Sequence, residues 1–329
     1  MNQRVLPNTT VIVPVYNGEA DVPDLIKCLK AQTYPVDRVE YLLVDNASSD
    51  RTSLLLQMAV QEAAALKIKF QYLQETENQS SYAARNAGIR VASGEILAFT
   101  DADCRPQPNW LDALIAPFAN SIIGVVAGEI VALPGKTLLE KHAERHQVLS
   151  QQHTLNHPFH PYGQTANLAI RRQVLEQVGL FRPYLTSGGD ADMCWRIQQQ
   201  SNWILHFAPT AVVRHRHRST LRDYQKQWYR YGRSNRYLHE LHGVELMREL
   251  TNKEYLYRLS RWLVKEVPMN TIKAIAHETP PIDIISTPIS LFGAWARTTG
   301  QREAQLPDKA KEIEWLRNSQ GIGFNQPPE

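Results

Sequence analysis

Apolar and polar residues alternate in regular blocks along the first hundred residues of this chain of 329 residues. Short apolar runs rich in β-branched residues predict buried strands at residues 10–15, 39–44, 68–73 and 96–99. Between them, capping residues followed by apolar positions at helical spacing predict helices at residues 21–32, at 52–66 and from about residue 81 onward. Strands and helices that alternate in this way form βαβ units, so we predict a mainly parallel sheet.

The alternation becomes less regular after residue 103. We predict strands at residues 124–132, 167–170, 204–207 and 211–213. We predict helices at residues 110–118, 138–152, 173–177 and 190–196, with a loop at 153–164. Beyond residue 215 the pattern predicts only helices, at residues 220–242, 253–265 and 311–316. Residues 282–296 are apolar but interrupted by Asp283 and Pro288. The chain is therefore predicted to have an α/β domain over residues 1–215 and a mainly helical extension over residues 216–329.

Composition narrows the class of protein. Hydrophobic residues make up 43% of the chain and charged residues 21%, which is ordinary for a folded globular protein. The three cysteines, Cys28, Cys104 and Cys194, are far apart and odd in number, which argues against a disulfide framework. The first apolar run is too short for a signal peptide, and no run of eighteen apolar residues exists. We expect a cytoplasmic protein, either soluble or peripheral on the inner face of the cell membrane.

Two carboxylates follow the fourth predicted strand. Asp101 and Asp103 come directly after the strand at residues 96–99, and ligands of open α/β sheets bind at the carboxyl ends of strands. Two oxygen donors at this spacing suit Mg²⁺ or Mn²⁺ carrying the phosphates of a substrate. An isolated pair of this kind is more often a solvated turn, so its assignment depends on the other motifs.

Six stretches at the ends of predicted elements share one order and spacing. They are VPVYN (13–17), VDNASSD (44–50), ARNAG (84–88), GEILAFTDAD (94–103), TANLAIRR (165–172) and GGDADM (188–193). Together they resemble glycosyltransferase family 2, the inverting enzymes of the GT-A fold, over about residues 8–235. The resemblance implies a doubly wound, mainly parallel sheet. Its Rossmann-like nucleotide-sugar-binding half would span about residues 8–105 and its acceptor half residues 106–215.

The resemblance assigns the first strand ends to the donor nucleotide. Pro14 and Tyr16 would form a wall on which a nucleobase stacks, with Asn17 beside it. Asp45 would accept an N–H of the base, which favours uracil or guanine, and Arg85 would pair with the base or the diphosphate. The structural alternatives are a half-buried aromatic residue for Tyr16, a helix cap for Asp45 and a solvated charge for Arg85.

The resemblance also implies a metal site. Asp103 is the expected direct ligand of Mn²⁺ or Mg²⁺, and Asp101 is expected nearer the ribose or as a further ligand. His215 follows the last predicted strand, where related enzymes supply a histidine to the metal or the diphosphate. His217 is the competing choice.

The catalytic base is expected at the start of the helix at residues 190–196. The family carries an acidic pair there, but the first acid is replaced by Gly189, which leaves Asp190 aligned with the base. Asn167 and Asp192 are assigned secondary roles near the acceptor. Asp192 would alternatively cap its helix or pair with Arg196, one turn away.

A basic segment follows the predicted sheet. Residues 214–236 hold eight Lys/Arg and one acid, interleaved with aromatic residues. Gln227, Arg230 and Tyr231 resemble the Gln-x-x-Arg-aromatic element of processive polysaccharide synthases, so Arg230 is expected to reach the diphosphate. Such a helix suits an anionic membrane surface better than nucleic acid, although a solvated face is an alternative. Residues 282–296 would add a second membrane contact or pack on the domain.

These features predict a metal-dependent inverting glycosyltransferase of the hexosyltransferase type. It would transfer a sugar from a nucleotide-sugar donor, preferably a UDP-sugar, to a glycan or lipid-linked acceptor in polysaccharide or glycoconjugate biosynthesis. The alternatives are a nucleotidyltransferase and a non-catalytic protein that binds sugar nucleotides or nucleic acid.

Overall fold

A single eight-stranded sheet forms the centre of the molecule. A computed structural model describes residues 6–316 of the chain. The strands are β1 (Thr9–Val15), β2 (Val39–Asp45), β3 (Lys69–Gln74), β4 (Ile96–Thr100), β5 (Cys104–Pro106), β6 (Ile123–Ala132), β7 (Asn167–Arg171) and β8 (Ile204–His215).

Twelve α-helices are present between residues 6 and 316. They are α1 (Val22–Lys30), α2 (Thr52–Ala65), α3 (Ser81–Val91), α4 (Trp110–Ile115), α5 (Leu138–Arg145), α6 (Gln151–Leu155), α7 (Arg172–Val178), α8 (Gly189–Gln200), α9 (Leu221–His242), α10 (Asn252–Arg261), α11 (Val267–Ile275) and α12 (Ser286–Glu303). A π-helical turn, Trp262–Glu266, joins α10 to α11. None of these helices combines the length and apolar character needed to span a membrane.

The strand order is β3-β2-β1-β4-β7-β6-β8-β5. The first four strands in this order are parallel to one another, β6 and β8 are also parallel, and β7 and β5 run antiparallel to their neighbours. No strand follows His215 among the described residues, which are helical or irregular there. The doubly wound, mainly parallel sheet with a helical C-terminal part is thus confirmed.

Alternation along the strands builds one core on each face of the sheet. In β1, the side chains of Val11 and Val13 join a cluster on one face that includes Leu25 of α1 and Leu56 of α2. The intervening Ile12 joins a second cluster that is built from α3, α7 and α8. Both faces of β1 are therefore buried, which explains why its sequence is continuously apolar.

The two strands at one edge of the sheet, β8 and β5, differ from the sequence prediction. β5 has only three residues and was not predicted, because so short a run has no measurable periodicity. The two strands predicted at residues 204–207 and 211–213 are one strand, β8, in which the register on β6 jumps from Gly128↔Ala208 to Glu129↔Val212. The residues in between bulge away from β6, so Pro209 does not have to donate a ladder hydrogen bond.

Two helix predictions were wrong. The helix predicted at residues 138–152 is divided into α5 and α6, because the backbone at Gln147 turns into the left-handed region with φ 48°. At residues 311–316 a 3-10 turn ends at Lys311, and the rest is irregular. There the backbone is bonded to the domain instead of to itself, since the Glu314 carbonyl accepts from Leu180 N at 2.7 Å.

Helix α12 covers α9, so residues 282–296 pack on the protein. The two helices approach so closely that a Cβ added at Gly232 would lie 1.9 Å from the Arg297 carbonyl oxygen. A Cβ at Gly300 would lie 2.0 Å from the Tyr229 carbonyl oxygen. The aromatic side chain of Tyr224 is buried in this contact. Part of the aromatic surface that would make α9 a membrane helix is therefore used inside the molecule.

Asn167, at the start of β7, links three parts of the sheet. Its Oδ1 accepts from Trp110 Nε1 at 2.8 Å, and its Nδ2 donates to the carbonyls of Glu129 and Ala211 at 2.8 and 2.7 Å. The side chain is fully buried. All of its polar atoms are engaged in the core, so the structure assigns Asn167 a structural role and leaves no group for an acceptor.

Replacing Asn167 should therefore destabilise the sheet. Asn167→Ala leaves an indole N–H and two carbonyls without their partner, and we expect a loss of about 3 kcal/mol or more in the free energy of unfolding. Urea unfolding measures this. Asn109→Ala, at an exposed residue with no capping hydrogen bond, is the control and should change stability by less than about 0.5 kcal/mol. Equal stability of the two variants would contradict the assignment.

Candidate active site

A cavity of about 540 Å³ opens at the carboxyl ends of β1 and β4. It brings together most of the residues that the sequence singled out. These are Pro14, Tyr16, Asn17, Arg85, Asp101, Asp103, Asp190, His215 and Arg230. Asp45, Asn167 and Asp192 do not line it. Gln227 and Tyr231 of α9 also contribute to its wall, so one end of the C-terminal extension completes the cavity.

Asp103 lies in the cavity beside two basic side chains. His215 Nε2 lies 3.2 Å from Asp103 Oδ1, and Arg218 Nη1 lies 3.3 Å from Asp103 Oδ2. Burial by itself raises the pKa of Asp103, but His215 and Arg218 outweigh burial and hold the pKa below its ordinary range. His217 instead lines a separate, smaller cavity. The structure thus brings His215, rather than His217, to the carboxylate.

Three neighbouring side chains, Asp103, Cys104 and His215, could hold a divalent cation. One ligand atom from each of them lies within 4.8 Å of the other two. His215 is buried and its Nδ1 has no hydrogen-bond partner. A buried nitrogen without a partner is costly, so it indicates a site prepared for a ligand. Carboxylate and imidazole donors together suit Mn²⁺.

Asp101 belongs to a different pair in the same cavity. Arg85 Nη2 donates to Asp101 Oδ1 at 2.6 Å. The guanidinium is almost fully buried and lies against the Tyr82 ring, while its Nε has no partner. The two aspartates of the motif therefore have separate neighbours, with Asp103 on the His215 side and Asp101 on the Arg85 side.

Asp190 stands in the first turn of α8 and faces this cavity. Thr165 Oγ1 donates to Asp190 Oδ1 at 2.8 Å. Burial raises the pKa of Asp190 above its ordinary value, although Arg85 and the Thr165 hydrogen bond act in the opposite direction. A carboxylate with a raised pKa at the edge of a cleft has the property required of a general base.

Gly189 is explained by its neighbour Tyr82. A Cβ at position 189 would lie 2.7 Å from Cζ of the Tyr82 ring, which is closer than packed atoms come. Tyr82 itself is buried and stacks on Phe181 at 5.8 Å between ring centroids. The Tyr82 ring, which belongs to α3, thus occupies the space that a side chain at position 189 would need. The acid that the family pattern has at this position would not fit here.

The wall at the end of β1 is anchored to the loop after β2. Asn17 adopts the left-handed backbone, with φ 47°, and its Oδ1 accepts from Ser49 N at 2.8 Å. Tyr16 is left 52% exposed at the cavity. Asp45 is buried below, where its Oδ1 accepts from Ser48 N at 3.1 Å and its Oδ2 accepts from Tyr72 at 3.3 Å. Asp45 is thus engaged in its own turn, contrary to the expectation that it is free for a ligand.

Asp192 lies inside the protein and not at the cavity. It is completely buried and accepts from Arg182 Nε at 2.9 Å, Arg196 Nε at 3.0 Å and His242 Nε2 at 3.0 Å. Burial raises its pKa, but these neighbours outweigh burial and lower the pKa below the ordinary range. The pairing with Arg196, which the sequence offered as the alternative, is the one observed.

Sequence reasoning missed the residues that brace the cavity. Asp21 binds Arg105 at 2.7 Å and also Arg216, and it thereby joins the loop after β1 to β5 and to the end of β8. Arg218 was counted only as part of a basic surface. Alternation along the chain could not have found Arg218, since it contacts the same carboxylate as His215 although the two residues are three positions apart.

Comparison with known proteins gives a consistent result. Residues 10–186 match the model of Glycosyl transferase family 2. The chain is 36% identical over 187 residues to glycosyltransferase AglE of Haloferax volcanii, an alignment that covers 56% of this chain and 59% of AglE. The chain also spans only about half the length of several other curated relatives.

Solved structures share the fold. Mannosyltransferase PcManGT from Pyrobaculum calidifontis, in complex with GDP-Man and Mn²⁺, superposes with a TM-score of 0.60 at 19% identity, over 91% of this chain and 88% of that one. TarS 1-349 of S. aureus, in complex with UDP, superposes with a TM-score of 0.51 at 17% identity, over 90% of both chains. At this level of identity the likeness concerns the fold.

The contact between Gly189 and Tyr82 can be tested by a double-mutant cycle. Gly189→Ala should destabilise the protein by about 1–3 kcal/mol, because the new methyl group collides with the ring. In a Tyr82→Leu background, where the ring is absent, the same change should cost at least about 1 kcal/mol less. Urea unfolding of the four proteins measures both values. Additive effects would show that the ring does not exclude a side chain at position 189.

Proposed function

Because the chain belongs to glycosyl transferase family 2, we propose that its cavity catalyses metal-dependent, inverting transfer of a sugar from a nucleotide-sugar donor. One observation carries this proposal. The Asp103–His215 pair and the partly buried base candidate Asp190 line the same cavity. An inverting transfer needs charge neutralisation at the leaving group and a base for the incoming hydroxyl.

The donor binds along the ends of β1 and β4. Tyr16 offers an exposed ring for the nucleobase, and Pro14 and Asn17 complete that wall. Arg85, Arg218 and Arg230 line the same cavity and supply positive charge for a diphosphate. We propose a UDP-sugar as the donor. TarS was solved with UDP and PcManGT with GDP-Man, so GDP is the comparison to test against.

A divalent cation completes the donor site. Asp103 and His215 would hold it, and Asp101 would lie nearer the ribose. Mn²⁺ or Mg²⁺ would supply positive charge to neutralise the leaving diphosphate. The PcManGT structure, which contains Mn²⁺, supports a divalent cation in this fold.

Asp190 is the proposed base. Its carboxylate removes the proton of an acceptor hydroxyl while the oxygen attacks the anomeric carbon, and the bond to the nucleoside diphosphate breaks on the opposite face. Thr165 holds the carboxylate in place through its hydrogen bond. Positive charge from Arg85 favours the ionised form, which is the form that accepts a proton.

We propose a glycan or a lipid-linked sugar as the acceptor, at the cytoplasmic face of a membrane. The α/β domain would comprise residues 1–215, because β8 ends at His215, with donor binding in about residues 8–105. The acceptor half would comprise residues 106–215. Residues 216–329 would form the C-terminal extension, of which residues 317–329 lie outside the described part of the chain.

Loss of Asp103 should abolish cation-dependent turnover. We expect Asp103→Ala to reduce Mn²⁺-dependent hydrolysis of the UDP-sugar donor at least about 10³-fold, since the diphosphate loses its counter-charge. His215→Ala should weaken Mn²⁺ binding about tenfold or more, measured as the Mn²⁺-dependent rise in melting temperature with UDP present.

The control for both variants is Asp37→Ala, whose carboxylate is exposed and remote from the cavity. It should behave as the wild type in both assays. Wild-type turnover by Asp103→Ala would refute the metal site. Stronger stabilisation by GDP than by UDP would refute the choice of nucleotide.

The pH dependence should identify the base. Thr165→Val removes a hydrogen bond that stabilises the ionised Asp190, so the pKa of Asp190 should rise further. A base must be deprotonated, so the acidic limb of the kcat profile should move to higher pH while kcat at high pH is retained. Asp190→Asn should lose transfer at every pH but still bind UDP in calorimetry. Full transfer by Asp190→Asn would exclude this base.

A further inference from the structure

The segment from α10 to α11 forms one continuous helix at the surface. Residues 252–275, named here the outer helix, keep helical backbone angles through the π-helical turn that joins the two parts. In that turn Val267 N bonds to the Trp262 carbonyl, five residues back, directly before Pro268. Proline lacks an N–H and crowds the carbonyl four residues earlier, and a π turn accommodates both effects without ending the helix.

One face of the outer helix is an uncovered row of large apolar side chains. Leu256, Val264, Ile272 and Ile275 are 70%, 77%, 68% and 74% exposed, and Leu263 is also exposed. Leu259 lies among them at a spacing of three to four residues, so the row runs along one side of the helix. No side chain of α10, the π turn or α11 is buried. An exposed apolar surface of this extent is unusual in a soluble protein and marks an interaction site.

The outer helix is held to the protein by its other side. Trp262 Nε1 donates to the Ile284 carbonyl at 2.7 Å, and Asn270 Nδ2 donates to the Asp283 carbonyl at 3.0 Å. Thr287 Oγ1, in α12, donates to Glu266. These polar contacts fix the rotation of the helix about its axis. The apolar row therefore faces outward as a consequence of specific bonds.

Basic side chains accompany the apolar row. Residues 252–275 contain five Lys/Arg and two Glu. Both glutamates are already paired, Glu254 with Arg248 and Glu266 with Arg261. Lys253, Arg258, Lys265 and Lys273 have no ion pair among the described residues. The outer helix thus combines uncovered apolar side chains with uncompensated positive charge.

We propose that the outer helix binds the surface of an anionic lipid bilayer, with its apolar row inserted among the acyl chains and its basic side chains at the headgroups. Interfacial helices have this combination of a leucine-rich face and free lysines. A second copy of the chain fits less well, because a two-fold interface would bring the unpaired basic residues of both copies together without acids to match them.

This assignment differs from the one that the sequence suggested. Helix α9 and the outer helix each contain five Lys/Arg and two acids, but the aromatic Tyr224 of α9 is buried under α12. The large apolar side chains of the outer helix, by contrast, are uncovered. Insertion depends on apolar area and attraction on charge, so both properties are needed on the same surface. The inference rests on the proposed function only in that a lipid-linked acceptor would give this surface its purpose.

Vesicle flotation tests the proposal with the full chain. Wild type should float with vesicles of phosphatidylcholine and phosphatidylglycerol, more weakly with phosphatidylcholine alone, and less at high salt. Val264→Ser/Ile272→Ser should lower the partition constant at least about tenfold, because two inserted side chains are lost. Lys265→Gln/Lys273→Gln should lower binding to the anionic vesicles about fivefold per lysine.

Leu54→Ser/Met58→Ser is the matched control, since both residues are about half exposed on α2, away from the outer helix. It should float as the wild type does. Equal flotation of control and Val264→Ser/Ile272→Ser, or no flotation of the wild type, would overturn the proposal. So would a dimer in sedimentation that only Val264→Ser/Ile272→Ser dissociates. UDP binding, measured on the same proteins, tests the proposed function separately and should be equal in all of them.

Discussion

The pairing of Cys104 with His215 is the constraint on which the cavity depends. This short antiparallel backbone ladder between β5 and β8 joins two positions that are far apart in the chain. It places Asp103, the residue before Cys104, next to the imidazole of His215. The backbone N–H of Arg216 donates to the Asp103 carbonyl at 2.9 Å and fixes the other side of that junction. A three-residue strand is marginal by itself. The charged contacts of Asp21 with Arg105 and Arg216 hold it in position.

A second set of buried charges positions the base candidate. Asp192 is enclosed by Arg182, Arg196 and His242, and it lies two residues after Asp190 on the same first turn of α8. A buried charge network of this kind contributes little net stability, but removal of one partner is severe, so it acts to specify one arrangement. The start of α8 is therefore located by ion pairs on its inner side and by the Tyr82 ring at Gly189.

Sequence reasoning succeeded where the signal was local. Continuous apolar runs predict buried strands such as β1. Motif residues such as Asp103 directly follow these strands, so their position at the cavity was also predicted. It failed where the partner is distant in the chain. Asn167 was assigned a role near the acceptor. Its hydrogen bonds to Trp110 and to two carbonyls form only in the folded sheet, so the sequence could not reveal its structural role. The exposure of the outer helix could not be predicted for the same reason. The sequence pattern of an apolar helix face is the same whether or not another element covers that face.

The crossing of α9 and α12 has a structural consequence. At Gly232 and Gly300 the two backbones meet without a side chain between them, so at these positions the helices are closely packed against each other. One of these helices carries Arg230 to the cavity, and the other holds the outer helix through Thr287. The same pair of helices therefore connects the outer helix at the protein surface to the wall of the cavity.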